Sequence, residues 1–240
     1  MKYFFTAIFL LLSACSSLEK NANTPEGAFA IAQEFDKDER FEEAIKRYNE
    51  VKNKFPYSNY AILSEIAVAD VYYKQESFAE AQIAYQSFKD LHPKHAQIDY
   101  VVFRVGMSFF QQLPSSIDRD LSLAADAINE FNYLVQSFPG STYVKEAEEN
   151  RRKAQLMLAQ KEEYIGDYYY IREFYESALP RYEKLYSTYK NLGFEPKALA
   201  RASYCAAKIE KAEKSNQYKE LLFSNYPQSK EAKNFAKEAP

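Results

Sequence analysis

Apolar residues return along this chain at helical spacing. Phe41, Ala44 and Tyr48 are followed by Pro56, and the same four positions recur 37 residues later as Phe78, Ala81, Tyr85 and Pro93. Ala127, Phe131 and Pro139 repeat the last three, and Tyr175, Ala178 and Tyr182 repeat the first three. Intervals of three and four place the two aromatics and the alanine on one helical face. The proline ends the helix, because it has no N–H to continue the hydrogen-bond ladder. Each such helix has a neighbour of the same periodic kind, over residues 64–74 before Phe78 and 98–111 after Pro93. Within the second, Gly106 costs about 1 kcal/mol against alanine, so a close approach by another helix is expected there. Residues 111–122, "QQLPSSIDRDLS", form a loop, and residues 146–170, free of proline, form one long helix.

The motif resembles the second helix of a tetratricopeptide (TPR) repeat. Its small alanine lets two antiparallel helices approach, and the aromatic one turn later fills the angle between them. Val68, Ala69 and Tyr72 fall where a first helix places its packing residues, as do Val105, Gly106 and Phe109. The alanines at 44, 81, 127 and 178 are 37, 46 and 51 residues apart, against about 34 in an ordinary repeat. From residue 207 on the pattern weakens, though "NYPQSKEA" echoes "FPGSTYVKEA". The expected fold is all-α, a superhelical array of about five TPR helix-turn-helix repeats, with an N-terminal half over 25–122 and a C-terminal half over 123–240.

Composition agrees. Five glycines in 240 residues argue against hairpin-rich sheets and glycine-lined phosphate loops. The 21 tyrosines and 18 phenylalanines sit among good helix formers. A formal net charge of −3 offers no basic surface for nucleic acid.

The first residues have a separate character. A lysine, a short apolar run from Tyr3 to Leu12 and small residues precede Cys15. The run is too short to cross a bilayer, which takes about 20 apolar residues, and reads as a secretory signal. Leu12-Ser13-Ala14-Cys15 resembles the bacterial lipobox, in which the chain is cut before a cysteine that takes a diacylglycerol. A second acyl chain on the new amino terminus makes such an anchor stable. The alternative is an ordinary signal peptide with an incidental cysteine. On the first reading 1–14 is removed, Cys15 is lipidated and 15–24 is a tether. Ser16 after the cysteine, where similar lipoproteins retained at the inner membrane carry aspartate, implies the outer membrane. Cys205, the only other cysteine, then has no intrachain partner and reads as a buried thiol.

Catalytic patterns are missing. His92 and His95 are the only histidines, and beside Pro93 they suit a turn and a helix cap better than a metal site with Asp99. No nucleophile elbow, P-loop or dinucleotide fingerprint occurs. The expectation is a binding protein with no cofactor and no metal. In a TPR array the inward positions of the first helices line a groove, here Ile66, Asp70 and Tyr73, then Tyr100, Phe103, Met107 and Phe110. Rigid aromatics there suit a peptide with large apolar side chains. Any one of them could instead pack between repeats.

"FPYSNYA", "HPKHAQIDYVVFRVGMSFF", "DRD" at 118–120, "SFPGSTY" and "EEYIGDYYYIREFYESALPRYEKL" together resemble the BamD family. These are TPR lipoproteins of the BAM machinery, which folds β-barrel proteins into the outer membrane. The likeness runs from about Pro25 to Tyr226. It implies a lipid-anchored scaffold on the periplasmic face of the outer membrane. Its N-terminal repeats would recognise the aromatic-ended C-terminal signal of unfolded barrel substrates. Its C-terminal repeats would dock on the periplasmic domains of a BamA-type barrel protein, and other Bam lipoproteins could join them. Arg181 in "ALPRYEK" matches an arginine of that docking contact, although a surface i, i+4 ion pair would also account for it. "YSTYKNLGFEP" departs from the pattern, with proline at 196 rather than directly after Tyr189. A TPR lipoprotein for cell-wall synthesis or pilus assembly shares the anchor and repeats but not the His92–Tyr100 run.

Overall fold

Eleven α-helices, and no strand, make up residues 21–238, the part of the chain described by the computed structural model. Cys15 and the signal lie outside the described residues. The helices are α1 (Pro25–Lys37), α2 (Phe41–Lys54), α3 (Asn59–Lys74), α4 (Phe78–Leu91), α5 (Ile98–Gln111), α6 (Ser122–Ser137), α7 (Val144–Ile171), α8 (Tyr175–Thr188), α9 (Glu195–Lys208), α10 (Ala212–Asn225) and α11 (Lys230–Glu238). Taken in sequence they are five helix pairs and a terminal helix, a TPR array. The expected partner helix at 98–111 has those bounds, the one at 64–74 begins earlier at Asn59, and the long helix runs to 28 residues.

The repeated motif does the packing foreseen for it. Ala44, Ala81, Ala127 and Ala178 are fully buried, and so, to within 1 %, are Tyr48, Tyr85, Phe131 and Tyr182. Burial of each large ring contributes about 2 kcal/mol. The residue preceding each motif proline is the helix C-cap: Phe55 before Pro56, His92 before Pro93 and Phe138 before Pro139. Side chains cap the N-termini of α1, α3 and α11, as where Thr24 Oγ1 accepts from Gly27 N–H (3.1 Å) with Pro25 opening α1.

The chain forms two compact units, one ending at Gln75 and one beginning at Glu76. In the first, α2 packs between α1 and α3 around Ala32, Ala44, Tyr48, Val68 and Val71, with Phe29, Phe35 and Tyr72 at its margin. In the second, successive helices from α4 through α10 pack on one another, α7 also meets α5, and α11 returns to α9. The core around α7, α8 and α9 contains Ala159, Leu179, Tyr182, Leu185, Ala202 and Cys205.

Candidate functional site

In the first unit Ile66 is buried, at 4 % exposure, while Asp70 and Tyr73 on the same helix are half-buried. In the second unit α5 carries four residues expected to face a groove. Phe103 is 4 % exposed and lies parallel to the Tyr143 ring at 5.0 Å. Met107 is 7 % exposed, and its Sδ accepts from Asn150 Nδ2 at 3.3 Å. These two side chains pack α5 against the start of α7. Tyr100 and Phe110 keep partial exposure. The Tyr100 ring meets Tyr85 edge-on at 6.3 Å, and its hydroxyl accepts from Arg104 Nε at 3.1 Å. Phe110 borders a cluster with Leu113, Ile117 and Met157, and opens into a depression of ≈ 570 Å³ shared with Met107, Lys145, Glu149 and Lys153. The solvent-reaching members of the expected set are therefore Asp70, Tyr73, Tyr100 and Phe110.

Arg181 lies on α8 beneath a charge cluster that spans three helices. Its Nη1 donates to Glu162 Oε2 at 3.1 Å, across to α7. Lys184 donates to the other oxygen of the same carboxylate. Glu162 is 9 % exposed and Arg181 39 %, so one nearly buried anion holds two half-exposed cations. Next to it Lys197 of α9 bridges Glu163 (2.8 Å) and Asp167 (2.6 Å), and Tyr182 Oη donates to Asp167 at 2.6 Å. Burial pulls the Lys197 ammonium down, but the hydrogen bonds it donates to Asp167 and Glu163 outweigh this and hold the group above its ordinary range. Burial, then the bond to Asp167, pushes the Tyr182 phenol far up. These groups tie α7, α8 and α9 together.

The same part of the unit exposes large apolar side chains that spacing alone did not single out. Tyr164, Tyr168 and Ile171 succeed one another on α7 at intervals of four and three and are 55, 46 and 76 % exposed, with Phe174 (58 %) just beyond the helix. Arg172 stacks on Tyr168 with its guanidinium carbon 3.7 Å from the ring centre, and Arg201 sits likewise over Tyr170 at 3.9 Å. In "YIGDYYYI" aromatic or apolar residues stand at 164, 165, 168, 169, 170 and 171, on several sides of the helix, so the sequence does not mark which of them stay open; Gly166 between them is buried.

His92 and His95 flank the Phe88 ring at 4.7 and 5.2 Å, and His95 Nδ1 accepts from Gln97 N–H at 3.2 Å ahead of α5. Ser141 Oγ donates to Asp99 at 2.7 Å. Among the described residues no group of three or more His, Cys, Asp or Glu could hold a metal ion, and no helix is long and apolar enough to cross a membrane.

The family model of the outer membrane lipoprotein YfiO matches residues 21–222. The outer membrane protein assembly factor BamD of Neisseria gonorrhoeae is 30 % identical over 92 % of this chain and 89 % of its own. That of Vibrio cholerae is 24 % identical over 65 % of this chain and 68 % of its own. The crystal structure of PilW, a type IV pilus biogenesis factor, superposes loosely, with a TM-score of 0.41 and 15 % identity over 88 % of this chain and 98 % of that one. That likeness carries no functional argument. A family match over most of the chain, joined to five helix pairs of which the first four carry the repeated alanine–aromatic motif, establishes that the chain belongs to the YfiO/BamD family of outer-membrane protein assembly factors.

Proposed function

We propose that this chain is a lipid-anchored, non-enzymatic scaffold of the BAM machinery, held through Cys15 on the periplasmic face of the outer membrane. It takes up unfolded β-barrel substrates and docks on the periplasmic domains of a BamA-type barrel protein. The observation that carries the reading is the 92 % coverage by a relative that is itself an outer membrane protein assembly factor. The surfaces of the molecule support it. In the first unit half-buried Tyr73 on α3, with the Asp70 carboxylate on the same helix, offers contacts to substrate, and in the second unit the partly exposed Tyr100 and Phe110 rings on α5 offer aromatic contacts of their own. In the half from 123 to 240, Arg181 and the exposed Tyr164, Tyr168 and Ile171 have the residue types that dominate protein–protein contacts.

The test titrates the mature chain separately with the periplasmic domains of the barrel protein and with a peptide bearing the aromatic-ended C-terminus of a barrel substrate. Saturable binding of both, without competition between them, is expected. Binding of neither overturns the proposal.

A further inference from the structure

We propose that the loop between α2 and α3 rests on the phospholipid surface, with the Tyr57 ring at headgroup level. The inference builds on acylation at Cys15. Where the array begins is fixed by hydrogen bonds at one end of α2. Lys54, in the last turn of that helix, donates through Nζ to Ala22 O (3.1 Å) and to Asn23 Oδ1 (2.9 Å). Thr24 donates to Asn21 O through both its N–H and its hydroxyl, each at 3.0 Å. The turn is folded so closely on α1 that a Cβ at Gly27 would meet Asn21 O at 2.2 Å. The chain therefore enters the described structure beside the C-terminal end of α2, and the α2–α3 loop starts there.

Cys15 lies six residues before Asn21. Fully extended, those six residues reach about 20 Å, so a lipid on Cys15 keeps this end of the first unit within about 20 Å of the bilayer interface. At that end, three residues beyond Lys54, Tyr57 is fully exposed, with exposed Pro56 before it and half-buried Phe55 under the Lys54 ammonium, 5.4 Å from its ring. Lys52 pairs with Glu65 at 3.8 Å in the same turn of α2. Tyrosine, with an apolar body and a polar tip, suits the headgroup layer. The short leash decides for lipid over peptide as the occupant, because it brings this loop to the bilayer without any further partner.

The test uses the full acylated chain in phosphatidylethanolamine–phosphatidylglycerol vesicles. An environment-sensitive fluorophore is placed on Tyr57→Cys or, as control, on Glu42→Cys. Glu42 is exposed about 18 Å further along α2 at 1.5 Å per residue. Cys205 does not compete for the label at pH 7, being fully buried. A blue shift and quenching by brominated lipids at 57, and neither at 42, are expected. Inserting about ten Gly/Ser residues between Lys20 and Asn21, which adds up to about 35 Å of reach, should weaken the quenching. The mass of the mature chain reports acylation independently. An acylated chain whose label at 57 stays in water overturns the lipid contact and leaves the anchor standing. A label that shifts only when a barrel peptide is added overturns it too, and makes the loop a peptide site. A chain without acyl groups overturns the anchor and the contact together.

Discussion

A Cβ added at Gly106 would lie 2.7 Å from Cε1 and 2.9 Å from Cδ1 of Phe131. Phe131 is fully buried, so the ring has nowhere to move. Gly106→Ala is therefore expected to destabilise the protein by about 1–3 kcal/mol, outweighing alanine's better helix propensity. Urea unfolding checks this, and Phe131→Leu in the Gly106→Ala background should recover part of the loss. A second residue-scale prediction concerns Cys205. The thiol is fully buried, and burial pushes it up to about 12, so at pH 8 only about one part in 10⁴ is thiolate. The folded chain should not react with an aromatic disulfide reagent at pH 8, and the unfolded chain should. Rapid reaction of the folded chain contradicts the packing around α9. Both residues were legible in the sequence, glycine as a misfit in a helix and cysteine by its alanine-rich surroundings. Ile66, Phe103 and Met107 were not. Val101, Val102, Val105 and Met107 of α5 are all buried, so apolar residues occupy most of that helix and spacing cannot separate a packed side from an open one.

Between helices the repeat shows a feature that composition hides. The turns after α1, α3, α7 and α9 each put a glutamate at positive φ: Glu39 (58°), Glu76 (61°), Glu173 (63°) and Glu210 (61°). A left-handed conformation costs a non-glycine residue about 1 kcal/mol or more. Glu39→Gly and Glu210→Gly, both at exposed positions, should each stabilise by about 0.5–1 kcal/mol after the entropy of the added glycine is counted, read as a raised urea midpoint. A lowered midpoint contradicts this. The turn after α8, which lacks the usual proline, ends its helix at the same register by other means. Asn191 (φ 62°) and Gly193 (φ 90°) carry the reversal, the buried Glu195 carboxylate accepts from both of their N–H groups, and Pro196 lies in the first turn of α9. The same level of structure revises what Arg181 can report. Its partner is Glu162 on α7, not a residue one turn away on α8. A glutamate at 181 would face that nearly buried carboxylate and disturb stability as well as binding. Arg181→Gln leaves Lys184 on Glu162, so it is expected to keep the melting temperature within a few degrees while weakening affinity for the barrel protein's periplasmic domains. Equal affinity with an equal melting temperature removes Arg181 from the contact.

At the scale of the whole chain, the all-α array was legible because one alanine–aromatic–proline spacing recurs across it, and each recurrence became a buried contact. The family was legible in longer runs such as the one from His92 to Tyr100. The exposed stripe of Tyr164, Tyr168 and Ile171 was harder to read, because in a long helix with tyrosines on several sides periodicity does not say which face its neighbours leave open. The measurement that tests the account most directly is a mild-detergent pull-down of the tagged chain from its own membranes, with the bound proteins identified by mass. The account predicts recovery of a large β-barrel protein carrying periplasmic domains, together with unfolded outer-membrane proteins. Recovery of cell-wall synthases or pilus proteins in place of that barrel would contradict it.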